Sequence, residues 1–182
     1  AGIPFCPDAA IEAAKGKTGL QEQTTPSCPA ASEVGHTLVG AGVGTLQAQA
    51  PGKIYLAGPY HGSAISVVAI TSALIGPFDL GTVVVRDGFK VNPDTGEVFV
   101  DAAGSDPIPH IISGIPIHLR DIRIYMDRPE FVLNPTSCAQ TSAAATVLGS
   151  GTNFVSEADD APVTVGVPFQ AVNCQALAFK PK

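Results

Sequence analysis

Residues 64–91 read AISVVAITSALIGPFDLGTVVVRDGFKV, and this stretch decides the fold. Ala64 to Leu74 is an almost unbroken apolar run, the signature of a strand buried on both faces. Gly76-Pro77-Phe78 punctuates it. Thr82 to Val91 then carries the β-branched run Thr82-Val83-Val84-Val85, whose crowded Cβ atoms favour extended backbone. Two strands joined by a tight turn are the nucleus of a sheet.

Working outward, Asn92-Pro93-Asp94-Thr95-Gly96 is a turn with a mechanism. Pro93 fixes φ and Gly96 can turn left-handed, so Glu97 to Asp101 is predicted to return as a hairpin partner. On the other side, Gly58-Pro59-Tyr60-His61-Gly62 is a second turn, preceded by a short strand over Lys53–Ala57. Leu56-Ala57-Gly58-Pro59-Tyr60 and Leu74-Ile75-Gly76-Pro77-Phe78 are alike, but their neighbours differ, so the likeness is repeated turn chemistry. β character begins at Val34, where Thr37, Val39, Ala41 and Val43 alternate with small residues.

In Ile115 to Met126 the alternation slips. Ile115, Ile117 and Leu119 share one parity, and Ile122, Ile124 and Met126 the other. A β-bulge near Arg120-Asp121 would return both sets to one core-facing side. Asp127-Arg128-Pro129 ends that strand, and Asn134-Pro135-Thr136 is another turn. Shorter strands are predicted around Thr146, Val163 and Phe169, with a polar loop at Ser156–Asp160.

The first 33 residues read differently. Asp8 is placed to cap a helix through Ala9–Lys15, ended by Gly16. Pro29 can open a further turn through Ala30–Glu33. The expected class is mainly β, a β-sandwich or two small packed sheets with a short N-terminal helical cap. The cap is placed at 1–33 and the β-rich core at 34–182, as one compact unit or two small subdomains dividing near 129–135.

The 182 residues include four cysteines, Cys6, Cys28, Cys138 and Cys174. None stands in the close pair that zinc sites favour, and no His is near one in sequence. A disulfide framework is the better reading. Of three pairings, the local one is expected: Cys6–Cys28 and Cys138–Cys174, each worth about 3–4 kcal/mol by chain entropy. Such bonds persist in oxidising compartments, so the chain is expected to be extracellular or exposed on an envelope. Its start at Ala1 without Met reads as a mature or trimmed product.

Composition removes several classes. Net charge is −6, charged residues are 14% and apolar residues 45%. The basic residues are scattered, so no stripe exists to follow a phosphate backbone, and nucleic acid is not an expected partner. The acidic balance disfavours anionic membranes, and the longest apolar run is too short to span one. With 19 Gly and 16 Pro, turns are frequent and long helices are not expected.

No motif carries a catalytic assignment. His36, His61, His110 and His118 stand without a nucleophile elbow or an H-E-x-x-H. Ser63 with His61 and a distant Asp is the weakest of the enzymatic readings. Asp79, Asp87, Asp94, Glu97, Asp101 and Asp106 lack EF-hand spacing and read as solvated turn residues. Gly40-Ala41-Gly42-Val43-Gly44 is not followed by a helix of useful length, so it is not a dinucleotide loop. Pro135 disqualifies Asn134-Pro135-Thr136 as a glycosylation acceptor. No catalytic residue, metal ligand or cofactor is assigned.

Cys6-Pro7-Asp8-Ala9-Ala10-Ile11, Pro26-Ser27-Cys28-Pro29-Ala30-Ala31-Ser32, Tyr55–Tyr60, Gly76–Arg86 and Leu133–Cys138 together resemble β-rich modules of large secreted proteins from soil actinobacteria. The resemblance runs from the first Cys to Phe179-Lys180-Pro181. It implies a module of a longer multi-domain surface protein and carries no activity or site residues with it. The functional expectation is a non-enzymatic extracellular module, structural or adhesive. Its partner would be a surface protein or glycan, and its oligomeric state is open. The alternative is a carbohydrate-binding or carbohydrate-active domain, for which the absence of Trp and 6% aromatic content leave no obvious stacking platform.

Overall fold

The computed structural model describes residues 2–42, 45, 47–100, 104–132, 137–147 and 162–172. The described residues are mainly β, with 52% in strand, as the patterning predicts. It divides into two compact units, Ala1–Val132 and Leu133–Lys182. No helix among the described residues is long and apolar enough to cross a membrane.

The first unit is built on six antiparallel strands. They are β1 (Glu33–Gly42), β2 (Ala48–Ala57), β3 (Ile65–Ile75), β4 (Phe78–Val91), β5 (Val98–Val100) and β8 (His118–Tyr125), in the order β5-β4-β3-β2-β1-β8. The deciding stretch is the middle of this curled sheet. β3 pairs with β2 on one side and β4 on the other, and it is buried along both faces, which is why its apolar run is continuous. Gly76, at φ 57° and followed by Pro77, makes the β3–β4 turn. Gly96, at φ 71°, makes the β4–β5 turn, where the Gly96 amide donates to the Asn92 carbonyl. β6 (Ile111–Ile112) and β7 (Ile115–Pro116) form a separate small hairpin.

β2 starts five residues earlier than its sequence suggests, running through Pro51-Gly52. β3 begins to pair with it only at Gly52, opposite Thr71. At Pro51 the strand is therefore paired to β1 alone, opposite Leu38, and the missing N–H removes no ladder bond from β3.

The bulge falls where the parity slip places it. Gly40 pairs with Asp121 and Ala41 with Leu119, so Arg120 is the extra residue. The register returns Leu119, Ile122 and Ile124 to one face, opposite Ala41, Val39 and Thr37. That face is not covered at β8, where Ile124 is 63% exposed. The expectation of one buried set is corrected in part: Ile117 is buried and Met126 packs on the core, whereas Leu119, Ile122 and Ile124 on β8 are exposed.

Two clusters sandwich the sheet. On one face Tyr55, Val68 and Ile70 pack with Cys6, Ile11, Ala14 and Cys28. On the other, Val34, Ile54 and Val67 pack with Ile3, Phe89, Met126 and Phe131. The first cluster lies under the cap, formed by α1 (Asp8–Lys15), α2 (Gly19–Thr24) and a 3₁₀ turn at Ala30–Ser32. In α1, Ile11 and Ala14 are three apart and share the buried face. Asp8 is not the cap residue. Pro7 holds that position with extended backbone, and the Asp8 carboxylate turns to Arg86 instead.

The Cys6–Cys28 disulfide ties the two ends of the cap together inside this cluster. Cys138 is also disulfide-bonded. Cys174, its expected partner, and the Ser156–Asp160 loop lie outside the described residues. The second unit contains β9 (Thr141–Val147) and β10 (Val163–Phe169), an antiparallel pair in which Val163 faces Val147 and Phe169 faces Thr141.

α2 has no counterpart in the sequence reading. It is six residues long, too short for a periodic stripe, but its N-terminus carries a capping box. Thr18 accepts from the Gln21 amide, and Gln21 reaches back to the Thr18 amide. A second tie comes from the β3–β4 turn. Asp79 Oδ1 accepts from the Gly19 amide at 2.7 Å and Oδ2 from Leu20 at 3.0 Å, and Oδ1 also accepts from Gly81 at 2.9 Å. Bonds from the backbone of Leu20 and then Gly81 hold this carboxyl below the usual carboxylate range. Because its folded-state pKa is depressed, its contribution is complete above about pH 4 and is lost as pH falls through the lowered value. Asp79→Asn is therefore expected to lower the urea midpoint at neutral pH and to flatten its decline in acid. A variant with the wild-type acid slope would show that Asp79 does not anchor α2.

Candidate functional site

Two polar clusters in the first unit are rich enough in chemistry to consider. The first surrounds Arg86 on β4, only 6% exposed. Its Nε donates to Ser66 Oγ at 2.9 Å and its Nη1 to Asp8 Oδ1 at 2.9 Å. Its Nη2 donates to the carbonyls of Gly58 at 3.2 Å and Pro59 at 3.3 Å. The guanidinium lies 4.5 Å from the centre of the Tyr60 ring.

Tyr60 Oη donates to Asp106 Oδ1 at 2.5 Å, and Asp106 Oδ2 accepts from the Arg86 amide at 3.0 Å. The hydrogen bond to Asp106 favours the neutral phenol and pushes the Tyr60 pKa up to about 12. Burial, aided by the charge of Asp106, pushes the Asp87 carboxyl up as well. This cluster joins α1, β3, β4 and the β2–β3 turn, and Arg86 spends its donors inside the protein. It is built to hold the fold rather than to meet a substrate.

The sequence candidates for catalysis are not brought together. His61 and Gly62, both with positive φ, form the tip of the β2–β3 turn between the bridged residues Tyr60 and Ser63. His61 stacks on Tyr60 with ring centres 3.9 Å apart. Ser63 is buried, and among the described residues its hydroxyl has no hydrogen-bond partner, His61 included. His36 pairs with Asp127 at 3.0 Å. His110 accepts a backbone bond from Ile117, and His118 lies at the start of β8. Asp94 and Glu97 sit in or beside the β4–β5 turn, and Asp101 lies outside the described residues. Among the described residues no three His, Cys, Asp or Glu side chains are grouped to hold a metal ion. Gly40–Gly42 end β1, and Val43 and Gly44 lie outside the described residues.

The second cluster lines a groove of ≈ 530 Å³ on the cap side of the sheet, beside α2. That volume falls within the range of small-molecule sites, about 300–1,000 Å³. Alternation of the strands builds it. Glu33, His36 and Leu38 on β1, Lys53 and Tyr55 on β2, and Ile70 on β3 all line it. Tyr125, opposite His36 on β8, completes the rim. The two rings stack 4.5 Å apart at an interplanar angle of 11°. Lys53 Nζ donates to Glu33 Oε2 at 2.8 Å.

Glu22 is buried at the α2 side. It accepts from the Ser27 amide at 2.8 Å and from the Ser27 hydroxyl at 2.6 Å, and it pairs with Lys17 at 3.1 Å. Tyr55 is 1% exposed, and among the described residues its hydroxyl has no hydrogen-bond partner. Burial, then the charges of Glu33 and Glu22, push its pKa well above the ordinary phenol range. Sequence reasoning missed this site because it is a cross-strand product. Glu33, Lys53 and Tyr125 are far apart in the chain, and only the register of β1 with both neighbours makes them adjacent.

The chain matches no protein-family model, no curated protein and no solved structure with which it was compared.

Proposed function

We propose that the chain is a non-enzymatic extracellular module, structural or adhesive, of a larger bacterial surface protein. The observation that carries this reading is the Cys6–Cys28 disulfide, fully enclosed between cap and sheet. A stabilising bond of this kind is a device of oxidising compartments. The resemblance of the cysteine-bearing and turn segments to secreted actinobacterial modules points the same way. The Arg86 cluster supports the non-enzymatic part, because its polar groups satisfy one another instead of facing a cleft. A carbohydrate-binding role is the second reading, favoured by the aromatic-rimmed groove.

The test is surface labelling of intact producing cells with a membrane-impermeant amine reagent. Alkylation before lysis and non-reducing peptide mapping follow. Labelled chain with a Cys6–Cys28 peptide is expected, together with a Cys138–Cys174 peptide. Unlabelled chain with alkylated Cys6 and Cys28 would overturn the proposal.

A further inference from the structure

We infer that the groove between α2 and the His36–Tyr125 pair is a binding site for a neutral saccharide. The inference rests on the adhesive form of the proposed function and supplies its ligand.

Four features argue for this chemistry. The first is charge. Glu33 is paired with Lys53 and Glu22 with Lys17, so the carboxylates of the groove are already neutralised. Nothing is left over to select an ion. The second is polarity. Lys53 donates and Glu33 accepts from fixed positions 2.8 Å apart. A pair of neighbouring sugar hydroxyls, each both donor and acceptor, can bridge such a couple.

The third is the rim. The stacked His36 and Tyr125 rings are each about half exposed and form an aromatic rim to the groove. The C–H face of a pyranose can lie against it, while its hydroxyls turn to the polar wall. The floor continues this with Ile70 and Leu38.

The fourth is Tyr55. Its hydroxyl is buried and has no partner among the described residues, and the carboxylates that act on it most, Glu33 and Glu22, both line the groove. A ligand oxygen that reaches it would satisfy this buried hydroxyl, whose unmet hydrogen bond is a standing cost in the free protein.

An extended peptide is the less suitable occupant. Peptides bind sheets by adding to an unpaired edge. The strands that floor this groove, β1, β2 and β3, are each paired on both sides. Side-chain recognition on a sheet face is what remains, and that suits a compact ring.

The disulfide-intact chain would be screened on an array of neutral oligosaccharides, and hits titrated by calorimetry. Tyr125→Ala and Lys53→Met alter exposed side chains and are expected to leave the urea midpoint nearly unchanged. Each is expected to weaken binding about three- to tenfold. Ile124→Ala, on the opposite sheet face, should bind as wild type. The inference is overturned if the folded chain binds no array member, if both groove variants bind undiminished, or if an unstructured peptide competes where sugars do not. Sugar binding by a chain that surface labelling places inside the cell would instead overturn the proposed function and leave the groove assignment standing.

Discussion

An Arg86→Met chain is expected to unfold about 3 kcal/mol more easily than wild type. The reason is the asymmetry of its surroundings. Asp8, its charged partner, is 75% exposed and returns to water at little cost once the guanidinium is gone. The bonds to Ser66, Gly58 and Pro59 are different, because they are made on the buried side of the group. Hydrogen bonds from a charged donor contribute about 1.5–3 kcal/mol each, against which the guanidinium's own desolvation, several kcal/mol, is relieved. The Pro59 carbonyl also loses its donor.

The same reasoning separates two further variants. Asp8→Ala should cost less than Arg86→Met, because the buried guanidinium loses its counter-charge but keeps its bonds to Ser66 and the turn carbonyls. Arg86→Lys should recover less than half the loss, since one ammonium cannot serve Ser66 and the turn carbonyls from a single point. Urea unfolding followed by tyrosine fluorescence measures all three. The chain has no Trp, and its three tyrosines, Tyr55, Tyr60 and Tyr125, all lie in the first unit, so the signal reports that unit alone. An Arg86→Met midpoint indistinguishable from wild type would mean that the cluster is incidental to the fold.

Arg86 also marks the boundary of what the sequence can tell. The run Thr82–Val85 announces β4 through its β-branched side chains, and the slip at Arg120 announces the bulge as a local departure from a period of two. The helix at Asp8–Lys15 is legible from the run Ala9–Lys15 and the Gly16 that ends it. What Asp8 does is not legible. An acidic residue at the start of a helix has a local use as a cap, and nothing short-range tells that a cation 78 positions away will claim it. α2 was recoverable from its Thr18–Gln21 box but is too short to show a stripe. The groove belongs to a third kind of feature. Each lining residue is an ordinary strand position, and only the pairing of β1 with β2 and β8 gives them a common wall.

Removing the Cys6–Cys28 bond as Cys6→Ala/Cys28→Ala is expected to cost about 3 kcal/mol. The bond closes a loop with a sequence separation of 22, which by chain entropy gives about 3 kcal/mol at 25 °C. Against a total of about 5–15 kcal/mol for a domain, that is a large share. Burial sets how the bond breaks. Cys6 is 0% and Cys28 3% exposed, so a thiolate reductant cannot reach either sulfur until the cap lifts. Dithiothreitol alone should therefore act slowly on the native chain, with a rate that rises steeply in sub-denaturing urea. Immediate reduction without urea would show that the cap opens freely.

The cap and sheet should then be lost together. Cys6 donates its amide to the Leu56 carbonyl at 2.7 Å and bridges Ala57, so the residue before α1 is hydrogen-bonded to β2 itself. Tyr55 packs in the same cluster as Ile11, Ala14 and both sulfurs. Freeing the cap exposes that cluster from above and leaves β2 and β3 with one covered face. Helical circular dichroism and tyrosine fluorescence are accordingly expected to fall in a single transition on reduction. Helix loss with fluorescence retained would mean that the sheet stands without its cap.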